Sequence, residues 1–315
     1  PLTRKIHYHL LMPESLIYVL VLFSLFILEL AYFRLANRFN IIDKPNYRSS
    51  HSRVTIRGGG IIFPIAVLIW FIYSGFSLPF FVLGLFIIAL ISFIDDVSTL
   101  KSGIRSMIHL FAVALILYQL NMDIEWYFLA LILFLVVGTI NAYNFMDGIN
   151  GITGAYSLVL LLSFWYCNSY LEAFTSESLL IFVLLSVLVF NFFNFRRVAK
   201  CFAGDVGSVS IALIICFLLV QLISATGNLM FIAFLLVYGL DAVTTILFRI
   251  IRRENITEAH RSHFYQYLAN ERKWPHLTVA GLYAVLQLSI NAIVVSFYED
   301  NSGADLNFWT LTVVL

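Results

Sequence analysis

The sequence has little charge. Only 12% of its 315 residues are Asp, Glu, Lys or Arg, whereas 61% are hydrophobic, and an ordinary soluble domain has about a quarter charged residues. A soluble fold of this size cannot cover so much apolar surface, so the composition excludes a water-soluble enzyme. It also excludes a disordered or fibrous chain. What remains is a membrane protein with several spans.

Cysteine is also scarce. The three cysteines, Cys167, Cys201 and Cys216, are far apart, and none stands in a Cys-x-x-Cys pair or beside a histidine at a metal-ligand spacing. This excludes a disulfide framework and gives no support for a zinc site. We therefore interpret the cysteines as small apolar residues of a membrane protein.

What the sequence does contain is a series of long apolar runs. A spanning helix needs roughly 20 mainly apolar residues, and hydropathy predicts spans at residues 15–35, 59–75, 78–94, 106–121, 125–141, 149–167, 178–195, 208–225, 229–248 and 277–298. A further apolar run of ten residues, from Leu306 to Leu315, ends the sequence. We expect it to be a truncated span or an interfacial segment.

The resulting prediction is an all-α polytopic membrane protein with about 10–11 transmembrane helices. Residues 1–11 are mixed and basic and are followed by Met12, so we treat them as a non-native leader. We expect residues 12–315 to form a single integral-membrane domain, without an internal repeat or a soluble domain.

Lysine and arginine are confined to one side of the predicted membrane. Arg34 and one alternate set of loops carry 17 of the 19, and the opposite loops carry none. The first set is cytoplasmic by the positive-inside rule, and the polar motifs described next all lie in it. This favours chemistry at the cytoplasmic surface over transport, because transporters usually place polar sites near the midplane.

Two adjacent acids, Asp95 and Asp96, end one predicted span on that side. Neighbouring residues of a helix point about 100° apart, so we expect these carboxylates to serve different partners. Acids at a helix carboxyl end also oppose the helix dipole. That cost favours a cation site or a proton-transfer role over simple solvated end residues.

Carboxamides and an acid share one helix face in the segment 141–154. Asn141, Asn144 and Asp147 are spaced by three, which places them on the same side of a helix. Three glycines follow and permit close approach of a nucleotide. Glycine packing between spans explains the glycines equally well, but it does not explain the polar residues.

A further acid, Asp205, stands at the cytoplasmic start of another span. One interpretation is a helix N-cap, a favoured position for Asp. A metal role is compatible with the same position, because Mg²⁺ takes a few carboxylate or carbonyl oxygens together with substrate phosphates.

Two cytoplasmic loops combine arginine with histidine. The residues are Arg48, His51 and Arg57, before three glycines that open a span, and His260, Arg261 and His263 in a later loop. Main-chain N–H groups at a helix start favour anions, and the cations can bind phosphate oxygens. A basic loop at an anionic membrane surface is the simpler alternative for the first group. A zinc site is less favoured for the second, because no third N or S ligand is evident.

Six segments between Asp43 and Gln266 resemble the polyprenyl-phosphate N-acetylhexosamine-1-phosphate transferases, which form glycosyltransferase family 4. The segments are PNYRSSH, RGGG, DDVSTL, NAYNFMDGINGI, AGDVGS and HRSHFYQ. The last is closer to the WecA/WbpL-like branch of the MraY superfamily than to MraY itself. The resemblance implies that residues 12–315 are one catalytic domain of a bacterial inner membrane, with its active site facing the cytoplasm.

The resemblance implies a reaction and its participants. Undecaprenyl phosphate attacks the sugar-bearing phosphate of a UDP-N-acetylhexosamine, UMP leaves, and a lipid diphosphate sugar initiates a cell-envelope glycan such as O-antigen or capsule. It implies Mg²⁺ as the cofactor, with Mn²⁺ as a substitute. The lipid bilayer is a partner, a homodimer is compatible with the family, and no nucleic acid is expected.

The resemblance also implies roles for individual residues. Asn144 and Asp205 would hold the metal. Asp95 or Asp96 would orient or deprotonate the lipid phosphate or support the metal, and His260 and His263 complete the catalytic set. The substrate-binding residues would be Arg48, His51, Arg57, Arg105, Asn141, Asp147, Asn150 and Arg261.

Two positions depart from the family pattern. Asn150 stands where relatives often have the second Asp of a DGxDG motif, so it keeps an acceptor, gains a donor and loses a charge. Ile56 stands where many relatives have Pro, which predicts a less rigid loop before Arg57.

The main alternative function is a transporter or flippase of a lipid-linked or anionic solute. Asp241 lies within a predicted span, and an intramembrane acid is typical of such proteins. It is two turns from Arg249, too far for direct pairing along one helix. We therefore expect its partner to lie on another span.

Overall fold

The computed structural model describes residues 13–45, 53–122, 124–255 and 261–301. In these ranges the chain is helical apart from short connections and one pair of strands, β1 (Ile42–Asp43) and β2 (Thr55–Ile56). The helices are α1 (Glu14–Arg38), α2 (Ile62–Tyr73), α3 (Pro79–Val97), α4 (Ser102–Leu120), α5 (Trp126–Met146), α6 (Ile152–Tyr166), α7 (Glu177–Asn194), α8 (Gly204–Thr226), α9 (Leu236–Ile251), α10 (Phe264–Gln266) and α11 (His276–Asn301).

Eight helical segments in the described ranges are long and apolar enough to cross a membrane: α1, α3, α4, α5, α7, α8, Leu229–Ile251 and His276–Asp300. A shorter apolar segment is Gly59–Tyr73, which contains α2. Helix α6 continues through a π-helical turn at Cys167–Leu171. Every predicted span up to residue 298 thus falls on a helix, which confirms the all-α polytopic fold. The leader 1–11 and the run from Leu306 lie outside the described residues.

Helix α8 runs through the centre of the bundle. Its side chains are buried without interruption from Val206 to Leu219, as expected for a helix that is apolar on every face. Phe217 stacks on Phe81 of α3 with ring centroids 4.0 Å apart. By contrast, α5 exposes large apolar side chains such as Phe134, which suits contact with lipid.

A short ladder of main-chain contacts joins the loop before α2 to the segment before α8. β1 pairs antiparallel with β2, and Ile56 of β2 also bridges to Cys201 in parallel. The Gly59 amide then donates to the Phe202 carbonyl at 2.8 Å. These bonds bring Arg57, which lies between Ile56 and Gly59, to the start of α8.

The span at residues 229–251 changes helix type within the bundle. Leu229–Leu235 is a 3₁₀ turn, and α9 begins at the next residue. Gln287 of α11 satisfies the main chain there: its Oε1 accepts from the Val237 amide at 3.0 Å, and its Nε2 donates to the Ala233 carbonyl at 2.9 Å. Helix α11 therefore sets the direction in which α9 leaves the turn.

Candidate active site

Helix α3 ends in two adjacent carboxylates with different partners. Asp95 accepts from Nη1 of Arg105 at 2.6 Å and from the Leu100 amide at 2.5 Å. Asp96 pairs with Nε of Arg57 at 2.6 Å. The prediction that the two acids serve different partners is confirmed.

Asp205, in the first turn of α8, joins these two pairs. Its Oδ1 lies 3.1 Å from Nη2 of Arg57, and its Oδ2 lies 3.3 Å from Nη1 of Arg105. Charges therefore alternate along what we call the ion network: Asp96, Arg57, Asp205, Arg105 and Asp95. Fully ionised, the network has one net negative charge.

The ion network is shielded unevenly. The side chains of Asp95 and Asp96 are 4% and 0% exposed, whereas those of Arg105 and Arg57 are 36% and 35% exposed. Burial lowers the pKa of Arg57, but the carboxylates of Asp96 and Asp205 outweigh it and leave that pKa raised. An incoming anion thus meets the arginines before the acids.

Asp96 also fixes the start of α8. Its oxygens accept from the amides of Asp205 and Val206 at 2.8 and 3.0 Å, which satisfies N–H groups that a helix start leaves free. Gly204, just before them, has φ +71°, and a Cβ there would lie 2.6 Å from Asp96 Oδ2. Glycine is therefore required at this turn.

Two side chains of α1 bind the segments that meet at the site, Tyr32 the loop that carries Arg57 and Glu29 the segment before α8, and the sequence interpretation missed both. The Tyr32 hydroxyl donates to the Arg57 carbonyl at 2.5 Å. Glu29, one turn earlier, is fully buried, with Oε1 accepting from Sγ of Cys201 at 3.7 Å. Glu29 is an ionisable residue inside a predicted span, and such residues mark polar contacts within a bundle, so the sequence did contain a signal for it.

Helix α5 brings Asn144 to the same place. Its Oδ1 accepts from the Ser208 hydroxyl at 2.9 Å, and that hydroxyl also lies 3.5 Å from the Asp205 carbonyl. Asn141, one turn earlier, donates instead to the Val137 carbonyl of its own helix at 2.9 Å. Asn144 therefore lies next to the ion network, whereas the amide of Asn141 has an intrahelical partner.

Asp147 lies at the end of α5, immediately outside the span. Its Oδ1 accepts from the Thr153 hydroxyl at 2.7 Å. Burial raises the pKa of Asp147 to about 6, although the hydrogen bond from Thr153 opposes the shift. The charge of Asp147 therefore changes close to neutral pH.

A cavity of about 680 Å³ lies near the ends of several helices, and none of the five residues of the ion network lines it. Its lining includes Thr55 and Phe202, which precede Arg57 and Asp205 in the chain, and the basic side chains of Arg53, Arg197 and His276. Ligand pockets commonly have about 300–1,000 Å³, so the volume suits a nucleotide.

Asn150 also lines this cavity, and its side-chain amide is bound to the main chain. Its Nδ2 donates to the carbonyls of Arg196 and Arg197 at 2.9 and 3.2 Å. A carboxylate has no proton to give to a carbonyl. This explains physically why Asn occupies a position where relatives often have Asp: here the residue must donate.

The histidine motif is only partly described by the structure. His263 is 2% exposed, with Nδ1 3.2 Å from Oδ1 of Asp241, while Arg261 is exposed. His260, Arg48 and His51, which are also predicted site residues, lie outside the described ranges.

The donor set near Asp205 suits a divalent cation such as Mg²⁺. In residues 13–45, 53–122, 124–255 and 261–301 no three His, Cys, Asp or Glu side chains are grouped to share a metal ion. Mg²⁺ rarely needs such a cage, because it usually binds one or two carboxylates plus substrate phosphates. The net negative network and the neighbouring Asn144 oxygen fit this mode of binding.

Sequence comparisons identify proteins that are similar to this chain. The profile of "Glycosyl transferase family 4" matches residues 78–223, which contain both α3 carboxylates, Asn144 and Asp205. A "Probable undecaprenyl-phosphate N-acetylglucosaminyl 1-phosphate transferase" of Bacillus subtilis is 26% identical over 283 residues, covering 83% of this chain and 79% of the relative.

Two further relatives extend the comparison. A phospho-N-acetylmuramoyl-pentapeptide-transferase of Thermotoga petrophila is 25% identical over 76% of this chain and 83% of its own length. An undecaprenyl-phosphate alpha-N-acetylglucosaminyl 1-phosphate transferase of Yersinia pestis is 30% identical over 70% of this chain and 64% of its own length. With its multi-pass helical fold, the chain therefore belongs to glycosyl transferase family 4 as a membrane-embedded enzyme.

Proposed function

We propose that the protein transfers an N-acetylhexosamine-1-phosphate from a UDP-sugar to undecaprenyl phosphate. UMP is released, and a lipid diphosphate sugar forms that initiates a cell-envelope glycan. The observation that carries the proposal is the ion network, in which two partly exposed arginines pair with buried carboxylates at the end of α3. The names of the Bacillus and Yersinia relatives contain the same acceptor and the same kind of transferred group.

In this reaction an oxygen of the lipid phosphate bonds to the sugar-bearing phosphorus. The bond from that phosphorus to the oxygen bridging the two phosphates breaks, and the electron pair leaves with UMP. Catalysis of such transfers depends mainly on positioning and charge neutralisation. Arg57 and Arg105 supply positive charge to the non-bridging oxygens. Asp95 or Asp96 orients the lipid phosphate or accepts its proton.

Mg²⁺, for which Mn²⁺ would substitute, would be held by Asp205 and Asn144. When bound, the ion supplies positive charge to the diphosphate. The hydroxyl of Ser208 orients the Asn144 oxygen toward this role through its 2.9 Å hydrogen bond.

The cavity would hold the nucleotide. Arg53, Arg197 and His276 line it and provide donors for phosphate oxygens, while Asn150 holds the Arg197 main chain in place. Asp147 would shape the same pocket. His260, Arg261 and His263 would contact phosphates or sugar, as would Arg48 and His51.

We place the active site on the cytoplasmic face of a bacterial inner membrane, because the lysines and arginines lie on that side of the predicted spans. Cysteines introduced at Ser102 and Tyr170 test this. A membrane-impermeant thiol reagent should label the first only from the cytoplasmic side and the second only from outside. Labelling of position 102 from outside would contradict the orientation.

The transfer itself is tested by mixing the purified protein with Mg²⁺, undecaprenyl phosphate and a panel of UDP-sugars, and measuring UMP. One or more UDP-N-acetylhexosamines should yield UMP and a lipid diphosphate sugar in equal amounts. A transporter would release no UMP. Asp241 was the residue that favoured a transporter function. In the structure its carboxylate accepts hydrogen bonds from the Phe264 amide of α10 and the Tyr283 hydroxyl of α11.

A further inference from the structure

The carboxylate of Asp241 accepts hydrogen bonds from the start of α10 and from α11. Oδ1 accepts from the Phe264 amide at 2.9 Å, and Oδ2 accepts from the Tyr265 amide at 3.1 Å and from the Tyr283 hydroxyl at 2.5 Å. His263 Nδ1 lies 3.2 Å from Oδ1. The prediction that the partner of Asp241 lies on another span is confirmed by Tyr283 of α11.

A buried carboxylate within a membrane span is costly unless donors compensate it, so such residues usually have a function. Here the compensation comes largely from one segment, residues 263–265. Asp241 caps the free amides at the start of α10 and so ties this segment to α9. Without the carboxylate, two main-chain amides and a tyrosine hydroxyl would lose their common acceptor.

The same contacts orient the imidazole of His263. With a carboxylate at Nδ1, the ring carries its proton there, so its tautomer and its plane are both set by Asp241. The ring lies 6.1 Å from that of Phe145, at the residue after Asn144. The histidine is thereby held at the end of α5 that also carries the candidate metal-binding amide.

Tyr265 makes a second connection to that end of α5. Its hydroxyl donates to the Phe145 carbonyl at 2.9 Å. A Cβ at Gly148 would lie 2.2 Å from this hydroxyl, so the glycine makes room for the contact. Residues 263–265 are thus fixed to α9 on one side and to the site on the other.

We propose that Asp241 is a positioning residue of the transferase: it holds His263 and the start of α10 against the active-site end of α5. This rests on the proposed function, in which His263 contacts phosphates or sugar. Asp241 itself touches no reacting group.

The first test is kinetic, with the full-length protein in detergent and UMP release as the readout. Asp241→Asn keeps the size but loses the charge and one acceptor. It should lower kcat by about 100-fold, the low end of the cost of losing one positioned contact to a transition state, with KM for the UDP-sugar little changed. Tyr283→Phe removes one donor and should lower kcat about threefold.

The matched control is Thr244→Val. Thr244 lies three residues from Asp241 on α9 and donates to the Leu240 carbonyl at 2.6 Å, not to the carboxylate. This variant should keep kcat within about twofold of wild type.

The second test measures the histidine directly. Diethyl pyrocarbonate acylates accessible imidazoles, and the tryptic peptide 262–272 contains His263 and no other histidine. Acylation in this peptide should be slow in wild type and in Thr244→Val, and at least tenfold faster in Asp241→Asn.

A fall in kcat together with faster acylation supports the proposal. Protected His263 in Asp241→Asn overturns it, and so does a kcat within twofold of wild type. If Asp241→Asn cannot be recovered as a monodisperse protein, kcat and the acylation rate of His263 are measured on Tyr283→Phe instead, and these two values test the proposal. If wild type releases no UMP at all, the proposed function fails, while acylation still reports whether Asp241 holds His263.

Discussion

Asp96 accepts a hydrogen bond from the main-chain nitrogen of Asp205 at 2.8 Å. A buried side chain at the end of α3 therefore fixes the first turn of α8, where the helix dipole favours negative charge. Asp95, one residue earlier, is bound instead to Arg105 and to the Leu100 amide. Asp95 and Asp96 are chemically identical neighbours, yet they have different structural roles.

The first prediction follows from this difference. Asp96→Asn should raise the Mg²⁺ concentration required for turnover, because the turn carrying Asp205 loses an anionic cap, and excess Mg²⁺ should partly restore the rate. Asp95→Asn should lower kcat at every Mg²⁺ concentration. Phosphate monoesters have a second pKa near 6, so we expect the loss in Asp95→Asn to grow as pH falls. Matched Mg²⁺ and pH titrations measure both effects, and identical profiles for the two variants would refute the division.

The second prediction concerns the metal ligands. Asp205→Asn and Asn144→Ala should each lower turnover about 10²–10³-fold, the usual cost of removing one electrostatic contact to a transition state. Both proteins should still insert in the membrane. Thr139→Val on α5 is the control, because the Thr139 hydroxyl donates to the Leu135 carbonyl of its own helix at 2.9 Å and otherwise contacts the Cys216 side chain, not a site residue. Wild-type rates for either ligand variant at limiting Mg²⁺ would remove that residue from the metal site.

The third prediction concerns Arg105 in the absence of substrate. The guanidinium lies beside both Asp95 and Asp205, so it competes with a cation for their oxygens. Arg105→Gln should bind Mn²⁺ several-fold more tightly without substrate, yet turn over more slowly because the phosphates lose a positive partner. Electron paramagnetic resonance titration measures the binding. Lys101→Gln, an exposed neighbour, should change neither value, and weaker Mn²⁺ binding by Arg105→Gln would contradict the competition.

The fourth prediction is a pH dependence of stability. The pKa of Asp147 is about 6 in the folded protein and about 3.9 in an unfolded chain. The folded state therefore binds the proton more tightly, so the ionised carboxyl costs stability above pH 6, and the cost disappears as pH falls toward 4.

Asp147→Asn should accordingly raise the Tm at pH 8, with a gain in the free energy of unfolding of up to about 2–3 kcal/mol. At pH 4 the substitution should have little effect. Thermal unfolding in detergent at both values measures this. If Asp147 contacts the nucleotide as proposed, the same variant loses activity while it gains stability. A destabilised Asp147→Asn at pH 8 would show that the charge is compensated in the folded state.

The fifth prediction concerns the close contact between the main chains of Gly60 and Gly207, near Arg57 and Asp205. A Cβ at Gly60 would lie 2.3 Å from the Cα of Gly207, and neither main chain can move aside without shifting Arg57 or Asp205. Gly60→Ala should abolish turnover and lower the Tm. Gly239→Ala in α9 meets nothing within 4 Å and should leave the Tm unchanged or slightly higher. Normal turnover by Gly60→Ala would show that the loop tolerates displacement.

The sequence was sufficient to predict the helices and the grouping of the polar motifs. Hydropathy located the spans, and the placement of lysine and arginine collected the polar motifs on one side. The structure then brings Asp95, Asp96, Asn144 and Asp205 together at the ends of α3, α5 and α8. A long continuous apolar run is a clear sequence signal for a spanning helix, which is why the helices could be predicted.

The pairings within the site could not be predicted. Arg57 and Asp205 are 148 residues apart, and they meet because two glycines allow main chains to touch, which no local pattern reports. The substrate role predicted for Asn150 stays a prediction, and what the sequence could not indicate is that its amide donates to two carbonyls of the segment after α7. Tyr32 was missed for a similar reason: a tyrosine in a span has no distinguishing pattern until its acceptor is located.

The bonds of Gln287 have a consequence for biosynthesis. Proteins are made from the amino end, so α9 leaves the ribosome before the helix that supplies its missing hydrogen-bond partners. Until α11 is inserted, the Ala233 carbonyl and the Val237 amide lack the side chain that satisfies them, and Asp241 lacks the Tyr283 hydroxyl. The part of the site near His263 therefore reaches its final structure last. A chain terminated before residue 276 would insert its earlier helices but would lack these contacts.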